Sequence, residues 1–477
     1  MNTNNDKPVS RRNWLGTVTT ASLTTGLLAV TPKVFGETLK RVPGSTDKNA
    51  GARVYNIRDF GAKGDGNTLD TAALQAAIDA CYKDMGGTVL VPAGTFIIGT
   101  VEMKSNVTLH ISAGGTLLGS ADGKQYHPAN AIPLHGDATL EDGNVGLIFA
   151  VKADNITIEG AGTIDGNGAQ FRHPVNDKHA PSPAGLSSHQ RPYHLLFYQC
   201  NNLSVKDIFL KDSAYHSVRV IQCMYVKMEG LHIHGRVIYN NDGFHFISSQ
   251  YVHVDHCDVQ SQDDACALFG SCKFITVSNS TFSTRWSVFR FGGGAAENIT
   301  VSNCIIFQAF GCPVKIQCGP NSRFENLLFS NLIMNQVTGP VSIGMGAKWH
   351  GNEGLKETPG VVRNISFSHI RATVIKPIPL PGSEWPSKYN LGEVFSCITL
   401  NAFDENFLEN ITFDDVHITF PGGGTAEQGA VREVPKVAGE YYTMGIPPAY
   451  GLYARNVRGL TLQNVRFEIA SPDLRPA

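Results

Sequence analysis

A short pattern returns along most of this chain: a polar residue or two, often Asn, followed by alternating β-branched or apolar residues. It stands as Asn106-Val107-Thr108-Leu109, Asn155-Ile156-Thr157-Ile158, Asn298-Ile299-Thr300-Val301, Asn326-Leu327-Leu328-Phe329, Asn364-Ile365-Ser366-Phe367 and Asn410-Ile411-Thr412-Phe413. Weaker copies are Leu203-Ser204-Val205, Val226-Lys227-Met228, Val252-His253-Val254, Ile275-Thr276-Val277 and Leu460-Thr461-Leu462. From position 203 to 327 successive starts are 23, 26, 23, 24 and 28 residues apart. Outside that run the gaps roughly double, as expected where coils carry weaker patterns or long loops. Alternation at every second residue means strands. Leucine-rich repeats need a recurrent Leu and Asn framework that is absent, and propeller blades need about 40–45 residues each. An all-β parallel β-helix, a solenoid, fits. One coil cannot bury its inner face alone, so neighbours stack about 4.8 Å apart and share a continuous core. The Asn before each strand tolerates left-handed backbone at a bend, and stacked Asn side chains can hydrogen-bond up the solenoid.

A solenoid exposes its core at its ends unless something covers it. Residues 70–81 (DTAALQAAIDAC) carry apolar side chains at helical spacing and are expected to form a short N-terminal capping helix. Residues 376–396 and 420–450, rich in Pro, Gly and aromatics, read as long loops leaving the coils. A single β-helix domain is expected over residues 52–470. Residues 1–35 stand apart from it. Ser10-Arg11-Arg12-Asn13-Trp14-Leu15 resembles a twin-arginine export signal. The mildly apolar stretch after it is too short and too rich in Thr to span a bilayer permanently. A periplasmic or extracellular location is therefore expected, without stable membrane insertion. A net charge of −2 with no long basic run argues against nucleic acid as a partner. The ten cysteines show neither CxxC nor metal-type spacing and read as packing residues, with a Cys312–Cys318 bridge left open. Oligomeric state is not legible.

Three segments resemble the pectin-degrading β-helix proteins: Val54-Tyr55-Asn56-Ile57-Arg58-Asp59-Phe60-Gly61-Ala62-Lys63-Gly64-Asp65-Gly66, Gly86-Gly87-Thr88-Val89-Leu90-Val91-Pro92-Ala93-Gly94 and Gly160-Ala161-Gly162-Thr163-Ile164-Asp165-Gly166. They imply a right-handed helix and say little about chemistry. The chemistry lies in Asn240-Asn241-Asp242-Gly243 and Gln262-Asp263-Asp264. These resemble the Asn-Thr-Asp and Asp-Asp motifs of glycoside hydrolase family 28, here 21 residues apart from Asp242 to Asp263. One coil in sequence is one step up in space, so the three carboxylates would share a lateral patch. Hydrolysis needs one protonated carboxyl to donate to the leaving oxygen and one ionised carboxylate to activate water. Crowding supplies the difference, because it raises at least one pKa. The resemblance implies Asp263 as the acid, Asp242 and Asp264 as the residues that hold and activate water, and inversion at the anomeric carbon. Asp263 and Asp264 are adjacent, so both reach solvent only if one sits at a bend or bulge.

The rest of the family signature is altered. Gly-His-Gly falls at Arg285-Trp286-Ser287, and Arg-Ile-Lys falls at Lys315-Ile316-Gln317. The Lys that follows the Asp-Asp strand is replaced by Phe269. Trp286 offers an aromatic platform for a sugar face. Arg219, Arg285, Arg290 and Lys315 are candidates for an acidic group, with a solvated surface role weighed against each. Asn240, His245 and Gln317 are further candidates for substrate contact. His216 on the preceding coil is a weaker one. Cys266 reads as packing, and His253 and His256 lack metal-type partners. No metal or cofactor is expected. The leading reading is an inverting glycosidase on a pectic or related cell-wall polysaccharide. An exo-acting galactosidase-type enzyme, a polysaccharide lyase or epimerase, and a non-catalytic glycan-binding β-helix are the alternatives.

Overall fold

The computed structural model describes residues 49–134, 143–173, 181–187, 190–345, 358–383, 389–403, 405–435 and 444–477. The export-signal residues lie outside them. Residues 47–477 form one compact unit. It is a right-handed parallel β-helix: every pairing between its named strands is parallel, and each strand pairs with its counterpart one coil on. A representative coil runs Phe244–Ile247, Gln250–Asp255 and Asp258–Ser261. The first strand belongs to an 11-stranded sheet and the other two to a 21-stranded sheet. Inward side chains stack in columns. One runs Val205, Met228, Val254, Val277, Val301, Phe329, Phe367 and Phe413. All of these are buried, and the last three rings stack at 5.0 and 4.9 Å. Each coil thus hides apolar surface that is worth about 25 cal/mol per Å² only while its neighbours are present.

The Asn before the strand has the geometry its chemistry suggests. Asn106, Asn155, Asn202, Asn298, Asn326, Asn364 and Asn410 all hold φ between 55° and 64°. Their amides form ladders: Asn155 donates to Asn106 at 2.8 Å, Asn326 to Asn298 at 3.0 Å and Asn364 to Asn326 at 3.1 Å. In the middle three coils Tyr225, Tyr251 and Phe274 take the same left-handed position. Their rings stack at 5.0 and 5.1 Å. There π-stacking replaces the amide ladder, which the Asn pattern alone did not reveal.

The capping helix forms at Thr71–Lys83 and buries Leu74, Ala77, Ile78 and Cys81 against the first coils. All ten cysteines are buried thiols, none of them in a disulfide. The Cys312–Cys318 bridge does not form, because the two residues stand at opposite ends of one strand, about 20 Å apart at strand rise. Cys257 and Cys304 lie two coils apart in one core column, with Ser280 between them. No helix among the described residues is long and apolar enough to cross a membrane.

Candidate active site

The two aspartate motifs occupy one corner on successive coils. Asp242 lies between the strands His232–Gly235 and Phe244–Ile247. Asp263 and Asp264 lie between Asp258–Ser261 and Cys266–Phe269. The adjacent pair is thus in the bend, not in a strand, which removes the alternation that would have sent one side chain into the core. The Gly243 amide donates to the Asp264 carbonyl at 2.9 Å, and Ser217 donates to the Asp242 carbonyl at 2.9 Å. Asp242 and Asp264 therefore stand one coil apart in line. Gly243 is required by this approach, since a Cβ there would sit 2.5 Å from the Ala265 carbonyl oxygen.

Asn241 builds the corner. Its side-chain oxygen accepts the amides of Val237 and Ile238, both at 3.0 Å, and its amide donates to the carbonyls of Ser213 and Tyr215 at 2.7 and 2.8 Å. Its own carbonyl receives the amides of Gln262 and Asp263 at 3.1 Å. One fully buried Asn thus ties three coils together. Asn240 is half-buried and accepts from Arg191 Nη2 at 2.9 Å.

The three carboxylates have different surroundings. Asp242 Oδ2 faces His245 Nδ1 at 2.9 Å, and its Oδ1 faces His216 Nε2 at 3.6 Å. Asp264 Oδ1 accepts the Ser287 amide at 3.3 Å, and Arg290 Nε lies 3.9 Å from its Oδ2. Asp263 is half-buried, and its Oδ1 accepts the Asp264 amide at 2.9 Å. Burial, then the charge of Asp264, push the Asp263 carboxyl up to about 7. A carboxyl there holds its proton through the mildly acidic range.

Arg219, His245, Ala267, Arg290 and Lys315 form one column across five coils of the smaller sheet, pointing outward from the core. All five are buried, with Arg219 and Lys315 at 0% exposure. Arg219, Arg290 and Lys315 are therefore not solvated surface groups. Trp286 is half-buried, with the Lys315 ammonium 4.4 Å from its ring centre. Gln317 is buried, in line with Gly292 and Phe269 on the two coils before it. Arg285 is engaged elsewhere: it pairs with Glu393 at 3.0 Å and lies under Tyr389 at 4.1 Å. Cys266 is a core residue whose thiol is pushed well above its ordinary pKa by burial. His253 and His256 are exposed.

Sequence reasoning gave His216 little weight and missed Arg191, Arg236, Tyr389 and Glu393. The last two lie in residues 389–396, and residues 376–383 reach the neighbourhood of the aspartates. The Pro381 carbonyl accepts from Arg236 at 2.7 Å, and Ser383 donates to Gln262, next to Asp263, at 2.7 Å. On the N-terminal side, Ala129 and Ile132 belong to one apolar cluster with the outward residues Phe149, Leu196, Ile221 and Phe269.

His216, Asp242 and His245 are also the one metal-like grouping found among the described residues, with ligand atoms within 4.8 Å of one another. The site's own charge opposes a cation there. Arg219 Nη1 lies 3.3 Å from His216 Nδ1, and the charges of Arg219, Arg191 and Arg290 reach the two imidazoles. Dialysis against a chelator is therefore expected to leave glycan cleavage unchanged. Loss of the rate, with recovery on adding calcium or zinc, would reverse that reading.

The description "Glycosyl hydrolases family 28" belongs to the family model that matches residues 81–382. Polygalacturonase-2 of Solanum lycopersicum is 27% identical over 337 residues, covering 69% of this chain and 70% of that protein. The exo-poly-alpha-D-galacturonosidase of Dickeya chrysanthemi is 29% identical over 294 residues, covering 53% of this chain and 48% of that protein. Among solved structures, the family 28 exopolygalacturonase of Yersinia enterocolitica superposes with a TM-score of 0.60 at 18% identity, over 89% of this chain and 79% of that one.

Proposed function

The chain belongs to glycosyl hydrolases family 28 and is a glycoside hydrolase; on that premise we propose that it cleaves an acidic pectic polysaccharide with inversion, through Asp242, Asp263 and Asp264. The observation that carries the reading is the split among the three carboxylates. Asp263 keeps its proton to about 7 under burial and the charge of Asp264. Asp242 and Asp264 each meet groups that favour a charged carboxylate: His245 for the first, the Ser287 amide and Arg290 for the second. Asp263 donates its proton to the glycosidic oxygen as the bond breaks. Asp242 and Asp264 hold a water on the opposite face of the sugar and take its proton as the oxygen attacks.

The cation column supports an acidic sugar. Arg219, Arg290 and Lys315 stand in line beside the aspartates and are buried. Electrostatic attraction for a carboxylate is strongest in such surroundings. This favours a galacturonate unit over a neutral terminal galactose, although the signature's Arg-Ile-Lys reads Lys315-Ile316-Gln317. The names of the Solanum and Dickeya relatives agree with that choice. A cell-wall polysaccharide is met outside the cytoplasm, in keeping with the export reading of Ser10 to Leu15.

A second observation concerns where the chain is cut. Asp242 and Asp264 are only 5% and 7% exposed, and Pro381 and Ser383 are hydrogen-bonded close by, to Arg236 and Gln262. Carboxylates so little exposed suit a chain end better than the middle of a polymer. The test is purified protein on polygalacturonate, galactan and neutral pectic side chains, with reducing ends, product sizes and anomeric configuration followed together. Single galacturonate units released with inverted configuration are expected from polygalacturonate. Products absorbing in the ultraviolet would mark a lyase instead, and binding without new reducing ends would mark a non-catalytic glycan binder.

A further inference from the structure

The mechanism above uses Asp242 but not the two histidines that enclose it. His216 and His245 lie on successive coils, with rings parallel within 3° and centres 4.7 Å apart. Both are buried at 4% and 5% exposure. Their tautomers follow from their neighbours. A guanidinium only donates, so Arg219 Nη1 at 3.3 Å makes His216 Nδ1 an acceptor and puts the proton on Nε2. That proton faces Asp242 Oδ1 at 3.6 Å, longer than a hydrogen bond. His245 Nδ1 faces Oδ2 of the same carboxylate at 2.9 Å and must donate, since an ionised carboxylate only accepts. Its Nε2 is then a bare acceptor, buried and with no hydrogen-bond partner among the described residues. Tyr193 and Phe269 brace the pair from either side, with ring centres at 5.2 Å from His216 and 5.0 Å from His245.

We propose that His216 and His245 are positioning residues that clamp Asp242, holding its carboxylate ionised and aimed at the water it activates. The proposal rests on the reading of Asp242 given above. Burial and nearby guanidinium groups hold both imidazoles well below their ordinary pKa, so the clamp stays neutral near pH 7. Neutral His245 donates a hydrogen bond, and neutral His216 turns its N–H dipole toward the same carboxylate, without neutralising it by full proton transfer. Around Asp242 stand the titratable His216 from the coil before, with the charged Arg219 behind it, the titratable His245 from its own coil, and Asp264 in line on the coil after, with Arg290 beyond. Arg191 acts from the connecting segment through His216. Among these, His245 meets the Asp242 carboxylate at hydrogen-bond distance, 2.9 Å.

The experiment compares His245→Leu, His245→Asn, His245→Gln and Asp242→Asn on polygalacturonate, with kcat, KM and the pH profile of kcat/KM, and folding checked by circular dichroism and melting. The clamp predicts that His245→Leu lowers kcat by about 10–100-fold, as small misplacements of a reacting group do. It predicts little change in KM. The acid limb of the profile should move to higher pH, because a carboxylate that loses a donor is protonated more readily. His245→Asn, whose amide nitrogen reaches the place of Nδ1, should recover much of the rate, and His245→Gln less. A folded His245→Leu with an unmoved acid limb overturns the proposal, as does a rise in KM with kcat kept. If His245→Leu does not fold, the Asn and Gln variants decide, and equal rates for them overturn it. An active Asp242→Asn sinks the reading of the site itself, not only the clamp.

Discussion

Asp263→Asn is expected to lower kcat by about 10²–10⁴-fold, the usual share of a positioned acid or base, with KM changed far less. Asparagine keeps the size of the side chain and the acceptor that takes the Asp264 amide at 2.9 Å. It removes only the transferable proton. The same assignment fixes the sign of a pH effect. A carboxyl raised to about 7 is protonated below that value and ionised above it, so the wild-type rate should fall as pH rises through the neutral range. Asp263→Asn should abolish that alkaline limb along with most of the rate. Asp242→Asn should be similarly slow through loss of water activation, but with the alkaline limb kept in whatever activity remains. Near-normal rates for both folded variants would mean that the aspartates are not the reacting groups.

The fold was readable because its signal is repeated. Each coil carries its own alternation and most carry a bend-forming Asn, so errors in one coil do not shift the others. The helix at Thr71–Lys83 was readable from its local period. Asp242, Asp263 and Asp264 were found through two short motifs and the rule that one coil means one step in space. Contacts across long sequence distances were not readable. Glu393 meets Arg285 across 108 residues, and Pro381 meets Arg236 across 145. Nothing in a local window marks such pairs. Burial was the other blind spot. Arg219 and Lys315 sit in strands whose alternation points them outward, which reads as solvent exposure. Both are nonetheless at 0% exposure, so outward there does not mean into solvent. His216 was undervalued for the same reason: its significance depends on His245 and Asp242 one coil away.

Glu393→Gln is expected to destabilise the protein by about 3–5 kcal/mol, the cost of leaving a buried cation without its counter-charge. The Arg285 and Glu393 side chains are 8% and 2% exposed, and both glutamate oxygens are engaged by the guanidinium, at 3.0 and 3.4 Å. Oε2 also accepts the Asn390 amide at 3.0 Å, as half of a capping box that starts the helix Leu391–Val394. Glutamine preserves the shape and can still close that box, so the change is chiefly one of charge. Removing both charges is a different matter. Arg285→Met with Glu393→Leu takes away the stranded cation as well and should recover most of the loss, since buried pairs are often replaced by apolar groups at little cost. Denaturant midpoints of the two singles and the double give the coupling directly. The local effect should show in the products. Tyr389 sits on Arg285, and Ser383 on Gln262, so a loosened pair frees the segment beside Asp263. If that segment closes the site, Glu393→Gln should release longer oligosaccharides from polygalacturonate in addition to single units. An unchanged product pattern in a destabilised variant would separate the two roles, leaving the ion pair as a structural fastening and removing the contacts of Ser383 and Tyr389 from the account of where the polymer is cut.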